Sequence, residues 1–257
     1  MPDSAVLLQE FRGPVATLTL NRPAQANTLS QELMDRLEEA VHHADANADV
    51  RVIIIGAAGK IFCAGHDLAE MQAANSGPAS QAMFERLFAR CSRMMLTIRR
   101  AKKPVIAKIQ GAAVAAGCQL AASCDLAYAA EQAKFGVNGI NLGLFCSTPS
   151  VALSRAVMPK QAMELLLTGQ LIDAARAVET GLINRAVPAQ ELEGAVEAVA
   201  HAVAGKLPAA VELGKDLFWR QLGMSEAEAY ALAGARMADN IVLQETRDLI
   251  TGFLKPR

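Results

Sequence analysis

Two stretches of the chain combine small residues with a single glycine: FCAGHDL at 62–68 and AAVAAGCQL at 112–120. Because small side chains leave the main chain accessible, a ligand can approach its N–H groups, and N–H groups at the start of a helix attract negative charge. Two such loops side by side could hold a developing oxyanion between two donors, each contributing about 10²–10³ in rate. The alternative is that alanine and glycine simply allow tight packing, and periodicity alone favours that alternative.

Other chemistry-bearing motifs are missing from the sequence. It contains no GxGxxG, GxxxxGK[ST] or GxSxG, so the usual dinucleotide, triphosphate and serine-hydrolase interpretations have no support. The five cysteines, at positions 63, 91, 118, 124 and 146, form no CxxC pair and no metal-ligand spacing with the four histidines. We therefore expect reduced, packed thiols, no metal and no permanently bound cofactor.

Bulk properties exclude several classes of protein. The 257 residues are 52% hydrophobic and 20% charged, which is typical of an ordered globular protein. Lysine plus arginine (25) nearly balances aspartate plus glutamate (26), so no strong field favours nucleic acid or acidic lipid. The basic cluster at 99–103 is interpreted as the solvated end of a helix, because cations stabilise helix C-termini. The N-terminus resembles no targeting peptide and no apolar run is long enough to span a membrane, so we expect a soluble, cytoplasmic protein.

The elements that must position the two loops follow from hydrophobic periodicity. Apolar patterns predict strands at 14–20, 51–55, 104–109, 125–130 and 182–187, the second buried on both faces. A helix is predicted to begin at a capping box of Thr28 and Gln31 and to run to Ala44, and another to cover 81–100. Residues 69–80 are predicted to form a mobile loop.

After about residue 160 the hydrophobic pattern changes from mixed strand and helix to mainly helix. Helical patterns fill 190–204, 208–221, 225–240 and 244–254. Helices this apolar need partners, so this region is expected to cover its own core or a second subunit. The order of elements predicts an α/β fold.

Five stretches together resemble the crotonase superfamily, the enoyl-CoA hydratase/isomerase family, across nearly the whole chain. They are NRPAQANTLS (21–30), FCAGHDL (62–68), KKPVIAKIQGAAVAAGCQLAASCDLAYA (102–129), FGVNGINLGL (135–144) and AMELLLTGQLIDAARAVETGLINRAVP (162–188). The combination of AAGCQLAASCD with LGLFCSTPSVALSRAV (142–157) further resembles the branch called enoyl-CoA hydratase domain-containing protein 3.

The resemblance implies a spiral of ββα turns at 1–195 carrying an acyl-CoA site. It also implies a helical oligomerisation region at 196–257 within the same structural unit, assembled as a homotrimer or a hexamer. The implied ligand is an acyl-CoA thioester whose carbonyl oxygen meets the N–H groups of His66 and Ala116. Further substrate-binding positions carried over from the family are Arg22, Ala24, Ala26, Ala64, Asp67, Leu68, Ala115, Asn138, Asn141, Leu142, Ser147 and Lys255.

The sequence departs from the family at its two catalytic glutamates, whose positions hold Gln119 and Gly139. Glutamine can orient a water but cannot transfer a proton at pH 7, and glycine can do neither. A general acid or base contributes about 10²–10⁴, so fast hydration by the two-glutamate route is not expected.

Other groups near the two loops have two possible roles each. His66 could transfer protons, although its predicted contribution is its backbone N–H. Cys146 could be a nucleophile, but a packed thiol is favoured because no base is placed beside it. Asp67 and Asp125 are expected to cap a turn and a strand start respectively, rather than to act in catalysis.

Three functional classes remain open at this point. The first is a nominal enoyl-CoA hydratase or isomerase. The second is an acyl-CoA-binding or regulatory protein without catalysis. A structural or nucleic-acid-binding assembly is the weakest of the three, since the net charge is near zero.

Overall fold

The computed structural model describes residues 5–74 and 80–255, and this part of the chain contains nine strands and eleven α-helices. The strands are β1 Leu7–Arg12, β2 Val15–Leu20, β3 Val52–Ala57, β4 Val105–Ile109, β5 Ala113–Val114, β6 Leu126–Ala130, β7 Lys134–Gly136, β8 Ile172–Asp173 and β9 Arg185–Val187. The helices are α1 Gln31–Ala46, α2 Leu68–Ala74, α3 Ser80–Arg100, α4 Ala116–Ser123, α5 Ser147–Leu153, α6 Pro159–Thr168, α7 Ala174–Glu179, α8 Leu192–Ala204, α9 Pro208–Gln221, α10 Glu226–Ile241 and α11 Gln244–Leu254. The predicted α/β class is confirmed.

A six-stranded sheet of order β1-β2-β3-β4-β6-β9 forms the centre of the molecule. Only the β1–β2 pair is antiparallel; the other neighbours in this sheet pair in parallel. The apolar run of β3 is buried on both faces, as predicted: Ile53 and Ile55 contribute to a large core with α1, α3 and α4, and Ile54 packs in a smaller core with α8. The sequence analysis missed β1, whose residues are mostly exposed and show no apolar alternation.

A second, three-stranded sheet has the order β5-β7-β8. Its strand β5 belongs to the loop at 112–120. Its short strand β5 leads directly into α4, and β7 pairs with β5 in parallel. This small sheet therefore fixes where α4 begins.

Two of the predicted local features are wrong. The N-cap of α1 is Ser30, whose Oγ accepts a hydrogen bond from the N–H of Leu33 at 3.2 Å, because Thr28 is used elsewhere, as a donor to Asp67. The predicted loop at 69–80 is helical over its first part, as α2, where Asp67 caps the helix start; residues 75–79 lie outside the described residues.

The C-terminal helices α9, α10 and α11 contain no buried residue in the described part of the chain. Helix α8, by contrast, runs through position 195 and packs Val196 and Ala200 onto the central sheet. No helix among the described residues is both long and apolar enough to cross a membrane.

Polar contacts attach α9 to the core. Asp125 accepts hydrogen bonds from Trp219 Nε1 at 2.9 Å and from the N–H of Val105 at 2.8 Å, and it forms an ion pair with Lys215 at 2.6 Å. The contact with Val105, the first residue of β4, agrees with the structural role expected of Asp125.

The corrected cap of α1 can be tested by two substitutions. We expect Ser30→Ala to lower the free energy of unfolding by about 1 kcal/mol, because the N–H of Leu33 loses its partner. Gln31→Ala serves as the control: a capping box based on Thr28 would need that side chain, whereas the structure uses only its backbone N–H. Urea denaturation measures both, and a larger loss for Gln31→Ala than for Ser30→Ala would contradict the assignment.

Candidate functional site

The two glycine-containing loops lie side by side. Cys63 and Ala113 form an isolated parallel bridge, and the N–H of Val114 donates to the carbonyl of Cys63 at 3.0 Å. The N–H of Phe62 donates to the carbonyl of Ala112 at 3.0 Å, so the contact extends along both loops. Residues fifty positions apart in sequence thus form one local backbone structure.

Two glycines allow the two loops to approach each other closely. A Cβ added to Gly117 would lie 2.0 Å from the carbonyl oxygen of Cys63, a distance that backbone cannot accommodate. Gly65 has a φ of +97°, which side chains rarely adopt, and a Cβ there would lie 3.3 Å from the N of Ala116. The glycines are therefore required for the close approach of the two loops.

The N–H groups of His66 and Ala116 have no hydrogen-bond acceptor among residues 5–74 and 80–255. The peptide before His66 is fixed, because the N–H of Leu29 donates to the Gly65 carbonyl at 2.8 Å. The N–H of Ala115 donates to Gly136 at 2.8 Å, and Ala115 has an unusual conformation, with φ 49° and ψ −121°. Ala116 is the first residue of α4, where N–H groups are left without intrahelical partners and attract negative charge.

Asp67 ties the first loop to the segment before α1. Its Oδ2 accepts from Arg22 Nη2 at 3.0 Å and from Thr28 at 3.1 Å, and its Oδ1 caps α2 through the N–H of Ala69 at 3.1 Å. Burial opposes ionisation, but hydrogen bonds from Arg22, Glu70 and Thr28 outweigh it and hold the pKa of Asp67 below its usual value. Asp67 thus has the capping role expected of it, and Arg22 is engaged in holding the loop.

Gln119 lies on the first turn of α4 and is 5% exposed. Its Oε1 is buried without a hydrogen-bond partner in the described structure. The side chain borders a cavity of about 300 Å³ whose walls come from α3, α4, α5 and α9. A buried amide oxygen without a partner carries a desolvation cost, so this position favours a ligand or water that donates to it.

Gly139 has no room for a side chain. A Cβ there would lie 2.5 Å from the carbonyl oxygen of Leu144 and 2.8 Å from Cys146 Sγ. The thiol also accepts a hydrogen bond from the N–H of Gly139 at 3.3 Å. Burial raises the pKa of Cys146, which keeps it a neutral thiol and favours the packing role over a nucleophilic one.

The imidazole of His66 faces α3 and borders a small cavity lined by both apolar and charged side chains. It meets the ring of Phe88 edge-on at 5.6 Å, and neither ring nitrogen has a partner among the described residues. Burial lowers the pKa of His66 to about 4, so the ring is neutral at pH 7. A group with that pKa is a poor acid or base near neutrality, which argues against the proton-transfer role.

The remaining candidates lie in three places. Those at the joined loops lie at or next to the two amides: Ala26 accepts from the N–H of Ala64 at 3.1 Å, and Ala115 precedes Ala116. Asn138, Asn141 and Leu142 form a 3₁₀ turn after β7, and Leu142 is 73% exposed. None of these three, nor Ser147, lines the cavity beside Gln119; Thr148 does so instead. Ala24, Leu68 and Lys255 are exposed, as are Asn141, Leu142 and Ser147.

Sequence reasoning missed Arg99, Arg155 and Trp219, which line the same cavity. Arg99 was interpreted only as part of a basic helix end, and Trp219 lies about a hundred residues away from Gln119 in sequence. No local pattern could have found Trp219, because only the folding of α9 onto the core brings it there.

Comparison with known proteins identifies the family. Residues 10–255 match the family described as enoyl-CoA hydratase/isomerase. The chain belongs to this family. Its members act on acyl-CoA thioesters, and the ββα spiral predicted for it is confirmed by the solved structures that it matches.

The sequence relatives include enoyl-CoA hydratase domain-containing protein 3 from several vertebrates. The human protein is 41% identical, with 100% of this chain and 82% of that protein covered. The zebrafish (Danio rerio) protein is 40% identical, with 99% and 86% covered. These relatives confirm the predicted resemblance to that branch.

Among solved structures, an enoyl-CoA hydratase of Mycobacterium smegmatis matches with a TM-score of 0.94 and 46% identity, covering 98% of this chain and 96% of that one. Human enoyl-CoA hydratase domain-containing protein 3 matches with a TM-score of 0.92 and 38% identity, covering 98% and 99%.

The expected cytoplasmic location is contradicted by these comparisons. The human, zebrafish and rat relatives are each named as mitochondrial. The expectation rested partly on reduced, buried cysteines, and those are compatible with any reducing compartment.

The contact between Gly117 and Cys63 is open to a direct test. We expect Gly117→Ala to lower the free energy of unfolding by about 2 kcal/mol or more and to separate the loops, because the new methyl group would overlap a carbonyl. Gly194→Ala, in α8 with nothing within 4 Å, is the matched control and should be neutral or stabilising. Equal effects of the two substitutions in urea denaturation would show that the close approach is unimportant.

The buried imidazole predicts a dependence of stability on pH. The unfolded chain binds a proton at His66 below about 6.5 while the folded chain resists it down to about 4, so stability present above pH 6.5 is lost as pH falls through that window. The loss attributable to His66 is of the order of 3 kcal/mol. Unfolding curves at pH 7, 5.5 and 4.5 should show a weaker pH dependence for His66→Gln than for the parent chain; identical slopes would contradict the burial of a neutral ring.

Proposed function

We propose that this chain binds an acyl-CoA thioester and polarises its carbonyl with the backbone N–H groups of His66 and Ala116. The observation that carries the proposal is the pair of loops held together by Gly65 and Gly117, each presenting an N–H without an acceptor in the described structure. Preorganised donors stabilise the negative charge that develops on a thioester oxygen when the α carbon becomes enolate-like.

The CoA body is proposed to lie along the outer side of the same loops, past Ala24, Ala26, Ala64 and Leu68. Ala26 and Ala64 are joined by a backbone hydrogen bond of 3.1 Å close to the first amide, and Ala24 and Leu68 are exposed. Arg22 and Asp67 would contribute by holding the loops, since their side chains bond to each other at 3.0 Å. Lys255, exposed beyond α11, would supply a positive charge for a CoA phosphate.

Proton transfer distinguishes two forms of this function. In the first, the chain is an enzyme that uses bound water, oriented by Gln119, to move protons at the polarised thioester. In the second, it binds acyl-CoA without turnover. Two observations favour the second form. The amide of Gln119 cannot act as an acid or a base at pH 7. At Gly139 the surrounding packing leaves no space for a side chain.

Calorimetry with butyryl-CoA, combined with a crotonyl-CoA hydration assay, separates these possibilities. Binding together with turnover selects the enzyme, and binding without turnover of enoyl- or hydroxyacyl-CoA selects the binding protein. Absence of any binding would overturn the proposal in both forms.

Assembly into a homotrimer or hexamer is part of the proposal. Helices α10 and α11 expose large apolar side chains, including Tyr230 (72%), Met237 (74%) and Phe253 (88%). Surfaces of this kind mark contact with another protein surface. Sedimentation equilibrium should give three or six times the chain mass, and a monomer at micromolar concentration would contradict this part of the proposal.

One substitution should restore part of the missing proton transfer. Gln119→Glu keeps the shape of the side chain and adds a carboxyl group, so we expect crotonyl-CoA hydration to rise by about 10² over the parent chain. Gln161→Glu is the matched control, since Gln161 in α6 also has an unpartnered buried Oε1. A second glutamate at 139 is not expected to help, because its Cβ would overlap Leu144. No increase for Gln119→Glu in a chain that still binds butyryl-CoA would show that position 119 does not face the thioester.

A further inference from the structure

We infer that the cavity beside Gln119 takes an acyl chain that ends in a carboxylate, and that Arg99 and Arg155 bind this carboxylate. The substrate class is then the mono-CoA thioester of a dicarboxylic acid. This inference rests on the proposed function, because it assumes that the thioester lies at Ala116.

The lining of the cavity is mixed: most of its surface is apolar, but its charged groups are all positive. It includes two guanidinium groups, the hydroxyls of Ser92, Ser123 and Thr148, and no carboxylate among the residues that border it. Ligand pockets are mostly apolar with a few polar groups that fix the orientation of the ligand, and two of those groups in this cavity are guanidinium groups.

Both guanidinium groups have N–H donors that make no hydrogen bond among the described residues. Arg99 donates through Nη2 to the carbonyl of Ala122 at 2.8 Å, and Arg155 through Nη1 to the carbonyl of Val151 at 2.9 Å. Neither forms an ion pair within residues 5–74 and 80–255. Each guanidinium carries five N–H donors, and a planar carboxylate is the ligand that best matches them.

The two positive charges are also close enough to influence each other. Burial lowers the pKa of Arg99, the negative charge of Asp125 opposes that effect, and the charge of Arg155 adds to it. Asp125 is already bonded to Trp219 and Lys215, and the ring of Trp219 stacks against Arg99 with its centroid 3.7 Å from Cζ. An anion between the arginines would relieve their repulsion.

The bond from Arg99 to the C-terminal end of α4 has a simpler explanation, since cations stabilise helix C-termini. That explanation accounts for one donor of Arg99. It also accounts for one donor of Arg155, which lies just after α5 and bonds to the Val151 carbonyl in its last turn, but not for the remaining donors of the two arginines or for the three hydroxyls in the same lining.

The length of α4 sets the size of the acyl chain. Ala116 and Ala122 are six residues apart, so the amide at one end and the guanidinium at the other are separated by about 9 Å along the helix. A six-carbon chain spans about 6 Å when extended, by analogy with the extended backbone, and a hydrogen bond of about 3 Å at each end brings this to about 12 Å. That length reaches from the amide to the guanidinium, which itself lies 2.8 Å from the Ala122 carbonyl.

The test compares adipyl-CoA with hexanoyl-CoA, which have the same chain length and differ in a terminal carboxylate versus a methyl group. Calorimetry on the full chain should give a dissociation constant about tenfold lower for adipyl-CoA, the effect of one charge-assisted hydrogen bond. Arg155→Gln, at an exposed side chain that folding does not depend on, should remove most of this difference and leave hexanoyl-CoA binding unchanged. Arg100→Gln, exposed on α3 outside the cavity lining, is the control and should preserve the difference.

The possible failures are distinguishable. If hexanoyl-CoA binds as tightly as adipyl-CoA, or if Arg155→Gln weakens both equally, the inference is overturned while the proposed function stands. If neither thioester binds, the proposed function itself fails and takes the inference with it. Arg99→Gln provides a second variant, accepted only if its circular dichroism matches the parent, because Arg99 also contacts α9.

Discussion

The contact between the backbone of Gly117 and the carbonyl of Cys63 is the constraint on which the candidate site depends. It leaves no space for even one methyl group, and it brings the first turn of α4 against the loop before α2. The two sheets serve this contact: β3 leads towards the first loop, and β5, held by β7, leads into α4. Burying apolar side chains stabilises the sheets, but the contact between the loops is made almost entirely by main chain.

The electrostatics of the site follow mainly from burial, and the carboxylate of Asp67 is paired with Arg22. Burial keeps His66 neutral and raises the pKa values of Cys63 and Cys118 to about 12, so neither the ring nor the thiols carry charge at pH 7. In such surroundings two N–H groups without acceptors among the described residues contribute positive potential that no hydrogen-bond partner offsets. A low-dielectric setting strengthens their interaction with a developing negative charge.

Much of the fold could be predicted from the sequence because hydrophobic periodicity reports burial directly. The run at 51–55 matched a strand buried on both faces, and the helices after residue 205 were predicted to within one or two residues. The cap of α1 could not be predicted, since Thr28 and Ser30 are both good cap residues and only the distant Asp67 decides between them. Likewise, small residues indicated that the loops were bare, but the lack of space at Gly139 depends on Leu144 and Cys146 folding back onto it. The lining of the cavity was missed because it is assembled from α3, α4, α5 and α9 and from Arg155, which follows α5.

We propose that the chain keeps a scaffold for carbonyl polarisation without the two glutamates of a two-glutamate hydratase, since Gln119 and Gly139 hold their positions. Isotope-edited infrared spectroscopy of a ¹³C-labelled thioester bound to the protein measures that polarisation without requiring turnover. The account predicts that the carbonyl stretch of bound butyryl-CoA shifts to lower frequency than in water, and that Gly117→Ala reduces the shift. A bound thioester whose carbonyl stretch is the same as in water, or higher, would contradict it.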